Sequence, residues 1–145
     1  MIKKLSLLLS MAAAALASAP PAHHTVLNIE IGRLRNTRGM IQACLSRNAK
    51  YFPDCKGDPA ALLLSVPATT RELRFNGYAP GRYALTLFHD ENSNQRLDAM
   101  LGIPQEGFGF SRNPVVRFGA PKFHKVSIDL VSGATHQTVR MQYIL

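Results

Sequence analysis

The strongest chemical signal in this sequence is a cluster of oxygen-bearing side chains that follows an apolar alternating segment. Asp90, Asn92, Asn94 and Asp98 have the spacing of positions 1, 3, 5 and 9 of a calcium-binding loop. Hard cations need several oxygen ligands at once, and the backbone carbonyl of Arg96 would stand at position 7. This spacing makes Ca²⁺ the candidate cofactor of the chain.

The calcium pattern is partial, and a second interpretation of the same residues stays open. Gln95 stands where a calcium loop has glycine, and Leu101 stands where it has a bidentate glutamate. Glu106 would complete the ligand set from farther along the chain. In the alternative, the Asp and Asn side chains accept hydrogen bonds from backbone N–H groups and hold a bend without metal.

His89 is the residue on which an enzymatic hypothesis depends. It adjoins Asp90, but neighbouring residues of a strand face opposite sides, so adjacency does not make a catalytic pair. No nucleophile-elbow, zinc-protease or phosphate-loop motif occurs. We therefore predict a binding or accessory module rather than an enzyme. A small hydrolase using His89 and Asp90, or a bound metal, is the alternative.

Two phenylalanines alternate with glycines directly after the polar cluster. Phe108 and Phe110, together with His89 and Glu106, form a candidate ligand surface, in which the rings make an exposed lip for a glycan, peptide or lipid. The other interpretation buries the rings against the end of the fold, because large aromatic side chains are usually inside.

The beginning of the chain has the pattern of an export signal. Lys3 and Lys4 precede an apolar segment that ends in Ala17-Ser18-Ala19. We predict a signal peptide over residues 1–19, a flexible leader over 20–24 and one domain over 25–145, located in the periplasm or secreted. No later segment is long and apolar enough to cross a membrane.

Composition limits the partners. The chain has a formal net charge of +8, but its basic residues are scattered and no nucleic-acid module signature occurs. We therefore expect an envelope or extracellular ligand and no nucleic acid. Association of the basic surface with anionic lipid is a further alternative.

The chain has two cysteines, Cys44 and Cys55. In an exported protein an even number of cysteines indicates a disulfide, and the turn-forming residues between them make that pairing geometrically reasonable. A redox or metal pair is the alternative, although the spacing is not C-x-x-C.

Alternation of apolar and polar residues predicts about seven strands in a single antiparallel β-sandwich, immunoglobulin- or transthyretin-like, with one long ordered loop. The first two strands are expected to form a hairpin, and the apolar segment 60–66 is either a strand or a helical turn. The predicted strands cover residues 25–34, 40–47, 71–76, 82–89, 114–118, 125–131 and 138–144, besides the ambiguous segment.

The segment from Phe75 to Asn113 resembles the DUF2141 family of exported bacterial proteins. The resemblance rests on Pro-Gly-Arg-Tyr-Ala at 80–84, on the polar cluster, and on Gly-Ile-Pro-Gln-Glu-Gly-Phe-Gly-Phe-Ser at 102–111. Gln95 and Arg112 depart from its pattern. The resemblance extends over nearly all of residues 20–145 and implies a periplasmic or secreted β-sandwich, similar to transthyretin-like and carboxypeptidase-regulatory-like modules. It implies no established activity.

Overall fold

The computed structural model describes residues 23–145, which fold into two β-sheets packed face to face. The predictions for residues 1–19, and for all but the last two residues of the leader, lie outside the described residues. The strands are β1 (Thr25–Gly32), β2 (Met40–Ser46), β3 (Leu62–Pro67), β4 (Glu72–Asn76), β5 (Gly81–Asp90), β6 (Ala99–Met100), β7 (Ile103–Pro104), β8 (Gly107–Phe110), β9 (Ile128–Leu130) and β10 (Gly133–Arg140). A 3-10 helix spans Ala49–Tyr51 and a short helix, α1, spans Phe123–Val126.

One sheet has the order β10-β1-β4, with β1 in the centre. β1 is antiparallel to β4 and parallel to β10. Its side chains alternate strictly, so that Leu27, Ile29 and Ile31 are buried while Glu30 is exposed. Alternation of this kind follows from the two-residue period of a strand that has only one face in the core.

The other sheet has the order β3-β2-β5-β8, and β9 pairs with the beginning of β5. All of its pairings are antiparallel. Ile41 and Leu45 of β2 and Leu85 and Leu87 of β5 are fully buried and face the first sheet. The two apolar faces together form the main core.

A second, smaller core covers the outer face of this sheet. Its aromatic members come from four separate parts of the chain: Phe52 lies between the two bonded cysteines, Phe88 belongs to β5, Phe108 and Phe110 belong to β8, and Phe123 begins α1. Val126 of α1 is also fully buried there. The cluster explains why β5 is buried on both faces along most of its length.

The all-β sandwich is confirmed, and two details of its topology differ from the prediction. The expected hairpin of β1 and β2 is wrong, because the chain crosses after β1 from one sheet to the other. The sandwich is also not purely antiparallel, since β10 returns beside β1 in the same direction. The alternation of apolar and polar residues determines which face of a strand is buried, but it does not determine which neighbouring strand the strand pairs with.

Local assignments differ at the second half of the chain. Residues 114–118 form no strand, and β8 lies instead at the Gly/Phe alternation inside the predicted loop. The strand predicted over 125–131 is reduced to β9 and is preceded by α1, and β10 begins at Gly133 rather than at residue 138. The ambiguous apolar segment is a strand, β3.

The predicted disulfide is present between Cys44 of β2 and Cys55, with the two Cα atoms 6.5 Å apart. It ties the connection between β2 and β3 to the outer face of the sheet. Within residues 23–145, no helix has the length and apolarity that a bilayer span requires.

Candidate functional site

The polar cluster forms the loop that leaves β5 at Asp90 and returns at β8. Asp90 is fully buried. One carboxylate oxygen accepts a hydrogen bond from the N–H of Asn94 (2.9 Å), and the other accepts from the N–H of Gln95 (2.9 Å) and from the side chain of Gln42 (3.0 Å). Asp90 therefore accepts hydrogen bonds from the backbone of the loop that it begins. These bonds compensate for the burial of its carboxylate.

The two asparagines make Asx turns. The amide oxygen of Asn92 accepts from the N–H of Asn94 (3.1 Å), and that of Asn94 accepts from the N–H of Arg96 (3.0 Å). Their NH₂ groups donate to the carboxylate of Asp98, at 2.6 Å from Asn92 and at 2.9 and 3.1 Å from Asn94. These bonds, first from Asn94 and then from Asn92, lower the pKa of Asp98, and the charge of Arg96 adds to them.

Glu106 joins the two arms of the loop. Its side chain is almost completely buried, with 5% of the residue exposed. One carboxylate oxygen accepts from the N–H of Glu91 (2.8 Å) and the other from the N–H of Asp98 (3.0 Å). The N–H of Gln105 also donates to the carbonyl of Asp98 (2.8 Å). We call Asp90–Arg96 together with Asp98 and Glu106 the loop base.

The loop base brings the predicted cation ligands together, but it does not fit Ca²⁺ as arranged. The oxygens of Asp90, Asn92 and Asn94 face N–H groups of the loop itself, and those of Asp98 face amide NH₂ groups. A calcium site needs these oxygens directed at one central point. Among residues 23–145, no group of three or more His, Cys, Asp or Glu side chains is placed to hold a metal.

His89 and Asp90 lie on opposite faces of β5. His89 is fully buried on the inner face; its Nε2 lies 2.7 Å from the carbonyl of Arg38 and its Nδ1 lies 2.8 Å from the hydroxyl of Tyr143. A carbonyl only accepts, so Nε2 donates to it, and Nδ1 pairs with the hydroxyl of Tyr143. This arrangement is that of a structural histidine.

The connection between β1 and β2 contributes a second set of charged residues that the sequence did not indicate. Both carboxylate oxygens of Glu91 are bound: one by Arg35 (2.7 Å to Nε), the other by Asn36 (2.8 Å) and Arg38 (3.0 Å). Burial opposes the charged form of Glu91, but the hydrogen bonds from Asn36, Arg35 and Arg38 together lower its pKa.

Arg35 is the centre of this set. Besides Glu91, its guanidinium donates to the carbonyls of Gln105 (2.8 Å) and Leu145 (2.6 Å) and lies 4.6 Å from the ring centroid of Tyr143. Burial is the main cause that raises the pKa of Tyr143. Arg35 lies 56 residues from Glu91 and 110 from Leu145 along the chain. No local pattern could have indicated that these residues meet.

A short hairpin of β6 and β7 projects from the loop base. Its turn residues, Leu101 and Gly102, have φ angles of +52° and +78°, as a type I′ turn requires. The hairpin and the residue before Asp98 carry four exposed apolar side chains, which we call the apolar tip: Leu97 (39% exposed), Met100 (52%), Leu101 (97%) and Ile103 (42%).

A groove of about 550 Å³ connects the apolar tip to the charged residues. Arg35, Arg38, Met100 and Leu145 are among the residues that line it. Ile144 and Leu145 are themselves about half exposed. Six of the ten exposed large hydrophobic side chains in residues 23–145 therefore belong to the tip or to the last two residues of the chain.

The predicted aromatic ligand surface is buried in the structure. Phe108 and Phe110 are each 4% exposed and lie in the outer-face core, while His89 and Glu106 are buried in hydrogen-bonded positions. The exposed aromatic lip is therefore corrected to the alternative, in which the rings are buried. The glycines that alternate with them face inward, where a Cβ on Gly107 would clash with the ring of Tyr143.

Fold and site together define a β-sandwich with one long, internally hydrogen-bonded loop that ends in an apolar hairpin. The family model described as an uncharacterized protein conserved in bacteria (DUF2141) matches residues 29–138. The chain therefore belongs to the DUF2141 family. No curated protein matches the chain. No solved structure matches it either.

Proposed function

We propose that the chain is an exported binding module that attaches to an anionic lipid surface through the apolar tip. The export part rests on the signal pattern at residues 1–19 and is supported by the disulfide between Cys44 and Cys55, which persists in oxidising compartments.

The observation that carries the binding proposal is the exposure of Leu101. It is 97% exposed at the end of a hairpin, in a left-handed conformation that leucine rarely adopts, between the exposed Met100 and Ile103. A solubility role would place a polar residue there, and a turn role would place asparagine or glycine. Clustered exposed apolar side chains on a well-held loop are typical of an interaction surface.

Two arginines beside the tip support an anionic lipid as the ligand. The carboxylates of Glu91, Asp98 and Glu106 line the same groove, but each is already hydrogen-bonded within the protein. Arg96 precedes the tip in sequence, and the side chain of Arg38, which is 75% exposed, lines the adjoining groove. Guanidinium groups bind phosphate through directed hydrogen bonds, and apolar side chains beside them can enter the acyl boundary. Full burial of one leucine side chain contributes about 1.5–3 kcal/mol.

Vesicle co-sedimentation tests the proposal. We expect the purified protein to sediment with vesicles that contain phosphatidylglycerol and to remain in solution with phosphatidylcholine alone, with binding that weakens as salt is added. Leu101→Asp should lower the partition coefficient at least about tenfold. The matched control is Val131→Asp, a change at another exposed apolar residue (62%) that lies beyond β9, at the other end of the sandwich.

Two results would contradict the lipid assignment. One is equal sedimentation with both vesicle types or with neither. The other is an equal loss of binding in Leu101→Asp and Val131→Asp, which would show non-specific apolar adsorption.

The hydrolase alternative draws no support from the geometry. His89 and Asp90 face opposite sides of β5, both are fully buried, and each is bound to a different set of partners. A general base must reach the proton that it removes from a substrate. Neither side chain is exposed to one in this arrangement.

A further inference from the structure

Two edge strands of the sandwich, β4 of one sheet and β3 of the other, differ in charge. β4 carries Glu72, Arg74 and Asn76 on its exposed positions. β3 carries Leu63 (68% exposed), Ser65 and Pro67 there, and the chain has no charged residue from Pro59 to Thr70. Edge strands normally carry charges that prevent pairing with another chain, and β4 follows this rule while β3 does not.

The free hydrogen-bonding groups of β3 can be assigned from its register with β2. The N–H of Ala68 donates to the carbonyl of Gly39 (3.0 Å), which places residue 68 in a hydrogen-bonded pair. Hydrogen-bonded pairs alternate along an antiparallel ladder, so Leu62, Leu64 and Val66 also bond to β2. The N–H and C=O groups of Leu63 and Ser65 therefore point away from β2. Pro67, which has no N–H, stands at the next outward position.

The inner side chains of β3 are incompletely covered. Leu62, Leu64 and Val66 pack against the main core but are only half-buried, whereas the corresponding residues Ile41 and Leu45 of the neighbouring β2 are fully buried. Among the described residues, β2 is the one strand that pairs with β3. The edge thus combines unpaired backbone groups with apolar surface on both faces.

We propose that β3 is a homodimer interface, in which it pairs antiparallel with β3 of a second copy. With the two-fold axis at Leu64, Leu63 of each copy lies opposite Ser65 of the other. This register joins the outward N–H and C=O groups of both residues in four hydrogen bonds, and it sets Leu62 opposite Val66 on the inner face.

Self-complementarity favours a second copy over another partner. A two-fold interface brings the same surface against itself, so a charge close to the axis would lie near the like charge of the other copy. The absence of charge between residues 59 and 70 removes that repulsion, and a central apolar pair, Leu64 with Leu64, forms on the axis.

Sedimentation equilibrium of the purified protein tests the interface. Over about 10 μM to 1 mM, a range that covers ordinary transient dimers, we expect the average mass to rise from one chain toward two. Leu63→Lys places two ammonium groups beside the axis and should raise the dimer dissociation constant at least about tenfold. Val131→Lys is the matched control and should dimerise like the native protein.

A second variant tests the hydrogen bonds. Ser65→Pro removes an N–H that points away from β2 and so should prevent pairing while the ladder with β2 remains. Circular dichroism and melting would show that each variant is folded. A native protein that stays a single chain at every concentration would overturn the proposal. The same result is expected if the edge of β3 pairs with an extended peptide instead of a second copy. Dimerisation of Leu63→Lys equal to that of the native protein would also overturn it.

Discussion

The loop base and the apolar tip belong to one continuous loop, yet they are built in opposite ways. In the base, two buried carboxylates, Asp90 and Glu106, bind four backbone N–H groups between them. In the tip, Leu101 is almost completely exposed.

The difference separates stability from binding. Loss of a carboxylate of the loop base leaves buried N–H groups without partners, and this lowers the free energy of unfolding. Loss of a tip side chain removes no core contact and should leave the fold intact. The two regions therefore predict opposite effects of substitution, and the following changes test that contrast.

The largest expected effect is that of Glu106→Ala. It leaves the N–H groups of Glu91 and Asp98 unpaired and should lower the free energy of unfolding by about 3 kcal/mol, since bonds to charged acceptors are the stronger kind. Urea denaturation measures the change. Gln105→Ala is the control, because that side chain is exposed and its backbone bond to Asp98 remains. Equal midpoints for both variants would show that Glu106 does not hold the base.

Acid should weaken the base through Glu91. Its pKa in the folded protein is lowered from the ordinary value of 4.5, against the effect of burial, by hydrogen bonds from Asn36, Arg35 and Arg38. A lowered folded pKa stabilises the protein fully above the unfolded pKa, and this contribution is lost as the pH falls through the folded pKa.

Glu91→Gln isolates this contribution. At neutral pH we expect it to lower the free energy of unfolding by about 1 kcal/mol, the size of a favourable, partly exposed ion pair. The difference from the native protein should shrink below the ordinary glutamate pKa. Denaturation at a series of pH values measures it, and a difference that stays constant down to strongly acidic pH would contradict the assignment.

A smaller effect of opposite sign is expected at the tip. Leu101 has a positive φ, which asparagine adopts more easily. Leu101→Asn should therefore raise the free energy of unfolding by about 0.5–1 kcal/mol while weakening binding to phosphatidylglycerol vesicles. Melting and vesicle sedimentation of the same preparation measure both. A variant that is more stable and binds as well as the native protein would remove the tip from the binding surface.

Calcium should have the smallest effect. The loop base directs its oxygens at its own N–H and NH₂ groups, so we expect the same melting temperature in EDTA and in millimolar Ca²⁺. A cation at a hundred times its dissociation constant would add about 2.7 kcal/mol. An upward shift that Asp98→Ala abolishes would instead make the loop base a calcium site.

Part of the fold follows from local pattern. Alternation identifies β1 and β4, in which buried apolar residues alternate with more exposed positions, and it also identifies β2 and β5 from the continuous apolar face that each turns to the main core. β8 was missed, since Gly107 and Gly109 leave no apolar alternation on the inward side; the side chains of Tyr143 and Val139 fill that space. The strand predicted at 114–118 is wrong, because the apolar residues of that segment pair with no neighbouring strand.

The candidate site divides in the same way. The polar residues of the base were identified from their spacing, because Asx turns and cation loops both depend on contacts a few residues apart. The orientation of their oxygens could not be identified from the sequence, because rotation of an Asp or Asn side chain can direct its oxygen at a cation or at a backbone N–H group. The bonds of Arg35 to Glu91, Gln105 and Leu145 could not be predicted either, because local sequence patterns do not indicate which distant segments come into contact.

Local sequence patterns alone predict the all-β class, the disulfide, the family and the position of the loop, because each depends on residue type or on neighbours within about a dozen positions. The tertiary structure decided which strands pair, that Phe108 and Phe110 are buried, and that Leu101 is exposed. These depend on packing between distant segments, where the same apolar residue is equally suited to a core and to a binding surface.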